Sequence, residues 1–355
     1  MKLHLRRKVK QMEKEKKVTI NDVAREAGVS ITTVSRYLNH KYEYMSEETK
    51  QKISKIIKSL NYCPNPLAQG LKSCSHTVAI VVTNLDYPLC ISVIRELFAI
   101  LNEKGFNLLV CETAGNAKRE ANIFRSLVAR SVDGIVIQTN GLNNDYLCKI
   151  SSQIPIVFFD REYDIPYSIN LVTNNREISE ELTLSLFAEG YDEVLYLTEN
   201  PCDLSTRTQR LKGYHAACDA YHFNPWVLTV DHNDPTTFTS VIAALKGRAG
   251  NRKVAVYTAN GLIMLKIYPF LKNIGLNVPE QLGLATFDEP DWANIMTPQL
   301  TCISQPTEAI GRSAAIALLK SMKSNRRILS PRIKVINSNI VKRGSTSLSS
   351  ASENF

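Results

Sequence analysis

One stretch of the sequence, from Thr19 to Asn39, restricts the possible folds more than any other. Its first part carries apolar residues at helical spacing on one stripe, and a second short helical pattern follows the turn at Gly28. Thr19 precedes the first pattern as an N-cap, with Asp22 three residues later, and Gly28 stands where a C-cap glycine belongs. Two helices joined by a short glycine-containing turn are typical of a helix-turn-helix. We therefore predict a DNA-binding motif in this stretch.

The outward face of the second predicted helix supports this interpretation. Ser30 caps the helix, and Val34 and Leu38 form its inward side. An ordinary helical hairpin buried in a larger helical domain is the alternative, but a solvated helix usually carries Glu and Lys outside, whereas this one carries small polar residues and one arginine. The outward set consists of Ile31, Thr32, Ser35, Arg36 and Asn39.

The distribution of charge along the sequence also indicates that the chain binds DNA. Of the net charge of +9, residues 1–75 hold 16 Lys/Arg against 7 Asp/Glu, a balance of +9, and residues 76–355 hold 27 of each kind. A basic segment beside a neutral body is typical of a nucleic-acid-binding protein, because Lys and Arg neutralise phosphates and release counterions. Residues 1–17 are predicted to be a disordered basic arm that adds phosphate contacts; alternatively, the chain starts at Met12 in the cell.

Several other classes of protein are disfavoured. No apolar run approaches membrane-spanning length, and the charged N-terminal stretch is unlike a secretory signal. The eight cysteines show no C-x-x-C spacing, so reduced thiols in the cytoplasm are expected. No G-x-S-x-G, P-loop or G-x-G-x-x-G motif is present, and 231–234 is interpreted as a surface turn rather than a metal site. We expect no enzymatic activity, no cofactor and no metal.

The segment after the two helices predicts a small headpiece and a linker. Ser46 caps a third helix, Glu47–Leu60. Asn65 as N-cap and Pro66 at the first helical position then predict a helix to about Lys72. Such a short helix is marginal alone in water, so it would form only when packed on a partner or on DNA. A plain proline-rich linker is the alternative.

From Thr77 onward the sequence predicts a different kind of fold. Strand-like apolar runs alternate with helical patterns, which indicates parallel α/β sheets with a ligand cleft at the carboxyl ends of the strands. A late helix is predicted at Thr307–Lys323. The predicted strands are Val78–Val82, Asn107–Cys111, Gly134–Ile137, Pro155–Phe159, Val194–Leu197, Val227–Val230, Val254–Tyr257, Gly283–Phe287, Thr301–Ser304 and Lys334–Asn339.

Three segments carry signatures of a known family: Val18–Asn39, Asn61–Leu71, and Leu282–Trp292 followed by Pro298–Pro306. They resemble the LacI/GalR family of bacterial transcription regulators, and the resemblance runs from about 18 to 343. Within that family, the chain looks most like the branch that regulates the use of 2-keto-3-deoxygluconate and related sugar acids.

The resemblance implies a small all-α helix-turn-helix headpiece, a hinge helix and a two-lobed α/β core with parallel sheets, similar to periplasmic binding proteins. The expected bounds are 1–17 for the arm, 18–62 for the headpiece, 63–75 for the hinge, 76–343 for the core and 344–355 for a disordered tail. The family chain crosses between lobes three times, here near 172, 303 and 332. Lobe N would then hold about 76–172 and 304–332, and lobe C about 173–303 and 333–343.

The resemblance also implies how the headpiece and hinge bind DNA. Ile31 and Thr32, next to the Ser30 cap, would read base edges in the major groove, and Arg36 would contact guanine. In the hinge, Leu71 would insert into the minor groove and kink the DNA. Ala68 would lie on the same groove-facing side of the hinge helix as Leu71. Asn65 would cap this helix. The residues better placed for phosphates are Thr19, Ser35 and Asn39.

The effector pocket is implied in the same way. Arg210, Asn260 and Asp288 match family pocket positions, with Asp288 accepting bonds from sugar hydroxyls, and Asp160 and Gln305 match pocket or rim positions. An inter-lobe salt bridge between Arg210 and Asp288 is the alternative. Arg161 and Arg210, the two arginines of the predicted pocket, favour an anionic effector, because guanidinium pairs with carboxylate or phosphate. The residues added by proximity alone are Asp86, Phe158, Arg161 and Trp292, and core packing is equally open for Phe158 and Trp292.

We therefore expect a homodimeric, cytoplasmic repressor of carbohydrate or sugar-acid genes. It would bind a pseudo-palindromic operator in double-stranded DNA and respond to a small carbohydrate effector, a sugar acid or a sugar phosphate. The alternatives are a global carbon-catabolite regulator of the same family and, in a different class, a sugar-binding protein with no role on DNA.

Overall fold

A computed structural model describes residues 18–38, 41–43, 45–60, 62, 75–200, 204–231, 233–249, 252–324 and 331–348. The chain forms two compact units that divide between Ser75 and His76. The predicted arm, 1–17, and nearly all of the predicted hinge, 63–74, lie outside the described residues. Among the described residues, no helix has the length and apolar character needed to cross a membrane.

The first unit contains three short helices around a very small core. They are α1 (Ile20–Ala27), α2 (Ile31–Leu38) and α3 (Glu47–Ser59). The predicted capping box at the start of α1 is present, and Gly28 ends that helix in the left-handed conformation at φ 61°. Val34 of α2 is fully buried against α1, so the predicted helix-turn-helix is confirmed.

The second unit begins with a six-stranded parallel sheet, which we call the sheet of lobe N. The strand order is β11-β5-β4-β3-β1-β2. Its inner strands β1, β3 and β4 are almost continuous buried apolar runs, which is typical of parallel sheets covered by helices on both faces. The elements are β1 (Thr77–Val82), α4 (Pro88–Glu103), β2 (Asn107–Glu112), α5 (Ala117–Ala129), β3 (Gly134–Ile137), α6 (Asn144–Ser151), β4 (Ile156–Phe159), β5 (Ile169–Val172), α11 (Thr307–Lys323) and β11 (Arg332–Val335).

A second six-stranded sheet forms lobe C, in the order β12-β10-β9-β8-β6-β7. All neighbours are parallel except β12, which runs antiparallel to β10. The two-lobed α/β architecture is therefore confirmed. The elements are α7 (Asn175–Ala188), β6 (Glu193–Thr198), α8 (Ser205–Ala220), β7 (Trp226–Thr229), α9 (Pro235–Ala249), β8 (Val254–Thr258), α10 (Gly261–Lys272), β9 (Leu282–Phe287), β10 (Thr301–Ser304) and β12 (Asn339–Val341).

The third passage of the chain between the lobes differs from the prediction. Arg332–Val335 pairs in parallel with β5 in lobe N, and only after it does the chain pass to β12. The predicted crossing near 332 and the single strand Lys334–Asn339 are therefore wrong. An extended stretch keeps the same local pattern when it changes partner sheet, so periodicity did not reveal the break. The strand β5 was not predicted either, because Asn170 interrupts its apolar run.

The segment that follows β12 also differs from the prediction. Ser345 and Thr346 are buried in lobe C. The Thr301 backbone N–H donates to Ser345 Oγ at 2.8 Å, and Ser345 Oγ donates to the Leu284 carbonyl at 2.6 Å. The predicted disorder from 344 is therefore wrong for 344–348, since these hydroxyls bond to the sheet. Composition alone suggested a solvated tail.

Candidate DNA-binding face and inter-lobe cleft

The predicted base-reading residues lie on the open side of α2. Ser30 caps this helix, because its Oγ accepts a hydrogen bond from the Thr33 N–H at 3.1 Å. Ile31 is 51% exposed although it is a large apolar residue, and Thr32 and Arg36 are exposed as well. The Arg36 guanidinium forms no ion pair with the described residues, so it is available to an outside acceptor.

The residues that were predicted to contact phosphates differ in their exposure and hydrogen bonding. Thr19 Oγ1 donates to Asp22 Oδ2 at 2.7 Å, so this hydroxyl already serves the cap of α1. Ser35 is half-buried. Their phosphate contacts stay predictions. The predicted DNA contacts of Asn39, Asn65, Ala68 and Leu71 fall outside the described residues.

In the second unit, the predicted effector residues converge between the two lobes. Asp160 and Arg161 directly follow β4 in lobe N, while Asp288 follows β9 in lobe C. Carboxyl ends of parallel strands meet at one edge of a sheet, which brings these residues to the cleft. Asp160 and Asp288 adopt left-handed backbone angles, φ 70° and 77°, in the tight turns that end their strands.

Arg210 is held rigidly at the floor of the cleft. It is 5% exposed, its Nε donates to Asn175 Oδ1 at 2.8 Å, and its Nη1 donates to the Ala259 carbonyl at 2.7 Å. The guanidinium carbon lies 3.4 Å from the centroid of the Phe287 ring. A Cβ at Gly213 would lie 2.1 Å from the Arg176 carbonyl oxygen, so glycine lets α8 approach α7 closely enough for these bonds.

The inter-lobe ion pair of Arg210 is with Asp160 rather than with Asp288. Arg210 Nη2 lies 3.8 Å from Asp160 Oδ1. The alternative of an Arg210–Asp288 salt bridge is therefore wrong. Asp160 also accepts a hydrogen bond from Gln138 Nε2 at 2.8 Å. Its other neighbour is Arg161, whose Nε lies 3.5 Å from Asp160 Oδ2.

Asp288 has different surroundings. The Gly261 N–H donates to Asp288 Oδ2 at 3.2 Å, and Gln305 Nε2 donates to Asp288 Oδ1 at 2.5 Å. Burial raises the pKa of the Asp288 carboxyl above its ordinary value, with Arg210 and the two donors opposing the rise. Asn260 caps α10 through a bond from the Ile263 N–H at 2.9 Å.

Two buried atoms in the cleft lack hydrogen-bond partners among the described residues. They are Gln305 Oε1 and Arg161 Nε, in side chains that are 7% and 5% exposed. Buried polar atoms are nearly always satisfied in folded proteins, so these two are candidates for contacts with a ligand.

The cleft is nearly closed in this structure. Its cavity measures about 30 Å³, room for a water molecule or two, so a sugar-sized ligand requires the lobes to separate. The lining includes six predicted residues, together with others that the sequence did not indicate. Gln138 could have been found, because it directly follows β3. The lining consists of Tyr87, Leu89, Gln138, Asp160, Arg161, Thr206, Arg207, Arg210, Asn260, Asp288 and Gln305.

Three predicted pocket residues lie elsewhere. Phe158 is fully buried in the core of lobe N against Tyr163, because alternate side chains of β4 point to opposite faces of the sheet. Trp292 packs on the core of lobe C, and Asp86 is exposed before α4. The prediction of these three as cleft walls is wrong for this closed arrangement.

Comparisons with known proteins give a family match for each of the two units. Residues 19–65 match the family described as "Bacterial regulatory proteins, lacI family", and residues 75–339 match "Periplasmic binding proteins and sugar binding domain of LacI family". The transcriptional regulator KdgR of Bacillus subtilis (strain 168) is 32% identical over 312 residues, which cover 87% of this chain and 92% of KdgR. The regulator PtxS of Pseudomonas plecoglossicida is 29% identical over 332 residues, 93% of this chain and 96% of PtxS.

Among solved structures, the Lac repressor dimer bound to operator and the anti-inducer ONPF shares the fold. Its TM-score is 0.77 at 21% identity, and the match covers 93% of this chain and 99% of that one.

Proposed function

Because the chain belongs to the LacI family of bacterial regulatory proteins, we propose that its effector is an anionic sugar derivative, a sugar acid or a sugar phosphate. The chain is a DNA-binding transcriptional regulator with a sugar-binding domain. Its curated relatives are transcriptional regulators rather than enzymes. The proposal concerns the ligand, its site and the response.

The guanidinium groups of the cleft carry the proposal. Three arginines line it; Arg207 pairs with Glu199, which leaves Arg161 and Arg210 beside the buried Asp160. Arg161 and Arg210 both lie within 4 Å of Asp160 oxygens, so this carboxylate occupies the place where an anionic ligand would pair. Planar guanidinium groups suit carboxylate and phosphate. The relation to KdgR, a regulator of 2-keto-3-deoxygluconate use, supports a sugar acid.

Asp288 and Gln305 are assigned the sugar hydroxyls. A buried carboxylate accepts hydrogen bonds, and the unsatisfied Gln305 Oε1 accepts a further one. Asn260 lies beside them at the start of α10. The ligand would thus be held by acceptors on the lobe C side and by guanidinium donors near Asp160.

On DNA, we propose a homodimeric repressor that binds a pseudo-palindromic operator. Ile31, Thr32 and Arg36 would enter the major groove, since they form the exposed side of α2. Effector binding would change the angle between the lobes and so change how the two hinge segments, with Leu71, meet in the minor groove. A sugar-binding protein with no role on DNA is disfavoured by the match of 19–65 to the DNA-binding family segment.

Thermal unfolding with a panel of sugar acids, sugar phosphates and neutral sugars tests the ligand class. A ligand at 100 times its Kd stabilises by about 2.7 kcal/mol, a shift of roughly 5–10 °C for a domain of this size. We expect such shifts with an acid or a phosphate and none with the matched neutral sugar. Stabilisation by the neutral sugar alone would contradict the proposal.

A variant locates the binding. Arg210→Ala is expected to abolish the effector response in operator binding while leaving affinity for the operator nearly unchanged. Arg312→Ala removes an exposed arginine of α11 and serves as the matched control. An unchanged response in Arg210→Ala would remove this residue from the site.

A further inference from the structure

A second cavity adjoins the cleft. It measures about 350 Å³ and lies at the carboxyl ends of β1 and β2 in lobe N and of β6 in lobe C. Tyr87, Arg161 and Arg207 line both cavities. Ligand pockets typically measure roughly 300–1,000 Å³, so this space suits a ligand group even while the inner cleft is closed. We call it the outer chamber.

The outer chamber carries unused hydrogen-bond donors. Asn84, Asn140 and Asn233 belong to its lining. Asn140 Oδ1 accepts a bond from Arg161 Nη1 at 2.5 Å, but none of the three side-chain amide NH2 groups donates a hydrogen bond to another described residue. Amide NH2 groups bind hydroxyl oxygens well, so the lining suits a hydroxyl-rich group.

The charges of the outer chamber oppose a second anion. Glu199 pairs with Arg207 at 2.5 Å, which neutralises both groups. Glu112 Oε1 accepts a bond from the Leu85 N–H at 3.0 Å, and Glu112 forms no ion pair with the described residues. Arg161, the other arginine of the lining, lies beside Asp160 and is assigned to the anionic group of the effector, so Glu112 is left without a cation partner among the described residues. A carboxylate or phosphate placed there would be repelled, whereas a hydroxyl could donate to Glu112.

Arg161 connects the two cavities. It is 5% exposed, and its Nε has no hydrogen-bond partner although it lines both spaces. A ligand whose anionic group is held beside Arg161 and Arg210 therefore continues directly into the outer chamber.

From this geometry we propose that the outer chamber is a subsite for a neutral sugar unit, so that the effector is an acidic sugar joined to a neutral sugar. This inference rests on the proposed function, which places the acidic group at the arginines of the cleft. It excludes a diacid whose second carboxylate would meet Glu112.

Isothermal titration calorimetry of the full chain with three probes tests the subsite. The probes are galacturonate, an aldobiouronic acid (a hexuronic acid linked to a neutral hexose) and digalacturonate. We expect the aldobiouronic acid to bind about tenfold more tightly than galacturonate, because it adds several hydrogen bonds. Digalacturonate should bind no more tightly than galacturonate, because its second carboxylate meets Glu112.

Two variants of the chamber lining sharpen the test. Asn233→Ala, at an exposed position, should weaken the aldobiouronic acid about fivefold and leave galacturonate unchanged. Asn277→Ala, at an exposed position before β9, is its control and should change neither. Glu112→Gln should strengthen digalacturonate selectively, and its control, Glu103→Gln at the exposed end of α4, should not.

The outcomes separate the subsite from the function on which it depends. Equal affinity for galacturonate and the aldobiouronic acid, or no effect of Asn233→Ala on the latter, would overturn the subsite and leave the proposed function intact. Failure of all three acids to bind the unmodified protein, together with no thermal stabilisation by any sugar acid or sugar phosphate of the panel, would overturn the proposed function, and the subsite with it.

Discussion

Replacing Ser345 by alanine tests whether the segment after β12 belongs to the fold of lobe C. The side chain is fully buried. Its Oγ accepts from the Thr301 N–H at 2.8 Å and donates to the Leu284 carbonyl at 2.6 Å. Leaving a buried donor or acceptor unsatisfied costs about 1–3 kcal/mol, so the free energy of unfolding should fall by about 2–3 kcal/mol. For a domain of this size, the Tm should fall by roughly 5–10 °C.

Urea unfolding followed by tryptophan fluorescence suits this measurement. Both tryptophans of the chain, Trp226 and Trp292, lie in lobe C. Ser347→Ala is the matched control in the same segment, because Ser347 is exposed and donates only to the Arg343 carbonyl at 3.0 Å. It should change stability by less than about 0.5 kcal/mol. Equal effects of the two variants, or none, would refute the reasoning that 344–348 is an integral part of the lobe.

Three further predictions concern the cleft and the DNA contacts. Burial raises the pKa of the Asp288 carboxyl, so the folded protein keeps this carboxyl protonated to higher pH than the unfolded chain does. The protonated carboxyl therefore contributes stability that is lost as the pH rises through its pKa in the folded protein. In Asp288→Asn, Tm should therefore fall less than in the unmodified protein as the pH rises above the ordinary carboxyl pKa, and the effector response should be abolished. An unchanged pH profile of Tm would contradict this. Arg36→Ala should weaken operator binding by about 1–3 kcal/mol and relax preference at one base pair, seen in a gel-shift series of single-base operator variants. Leu71→Ala should weaken specific more than nonspecific DNA binding, and equal losses would exclude the minor-groove role.

Local patterns were sufficient for most of the strands and helices and for the first unit. The cap at Thr19, the left-handed Gly28 and the inward Val34 act within a few residues of one another, so the helix-turn-helix follows from short-range chemistry. The apolar runs of the inner parallel strands can also be recognised locally, because strands buried on both faces carry apolar side chains at nearly every position. Asp288 was indicated as a pocket residue by the resemblance to the LacI/GalR family rather than by a local pattern.

Contacts between distant parts of the chain decided the rest. Arg332–Val335 lies in lobe N because it pairs with β5, and Ser345 is buried because it bonds to β9 and β10; neither partner is visible in local periodicity. The pairing of Arg210 with Asp160 rather than Asp288 also required the two lobes to meet. The sequence by itself determined the helix-turn-helix and the alternation of strands and helices, since these depend on neighbours along the chain. Only the tertiary structure decided which strands pair, how far the cleft is closed and which charges meet, because those outcomes depend on groups far apart in sequence.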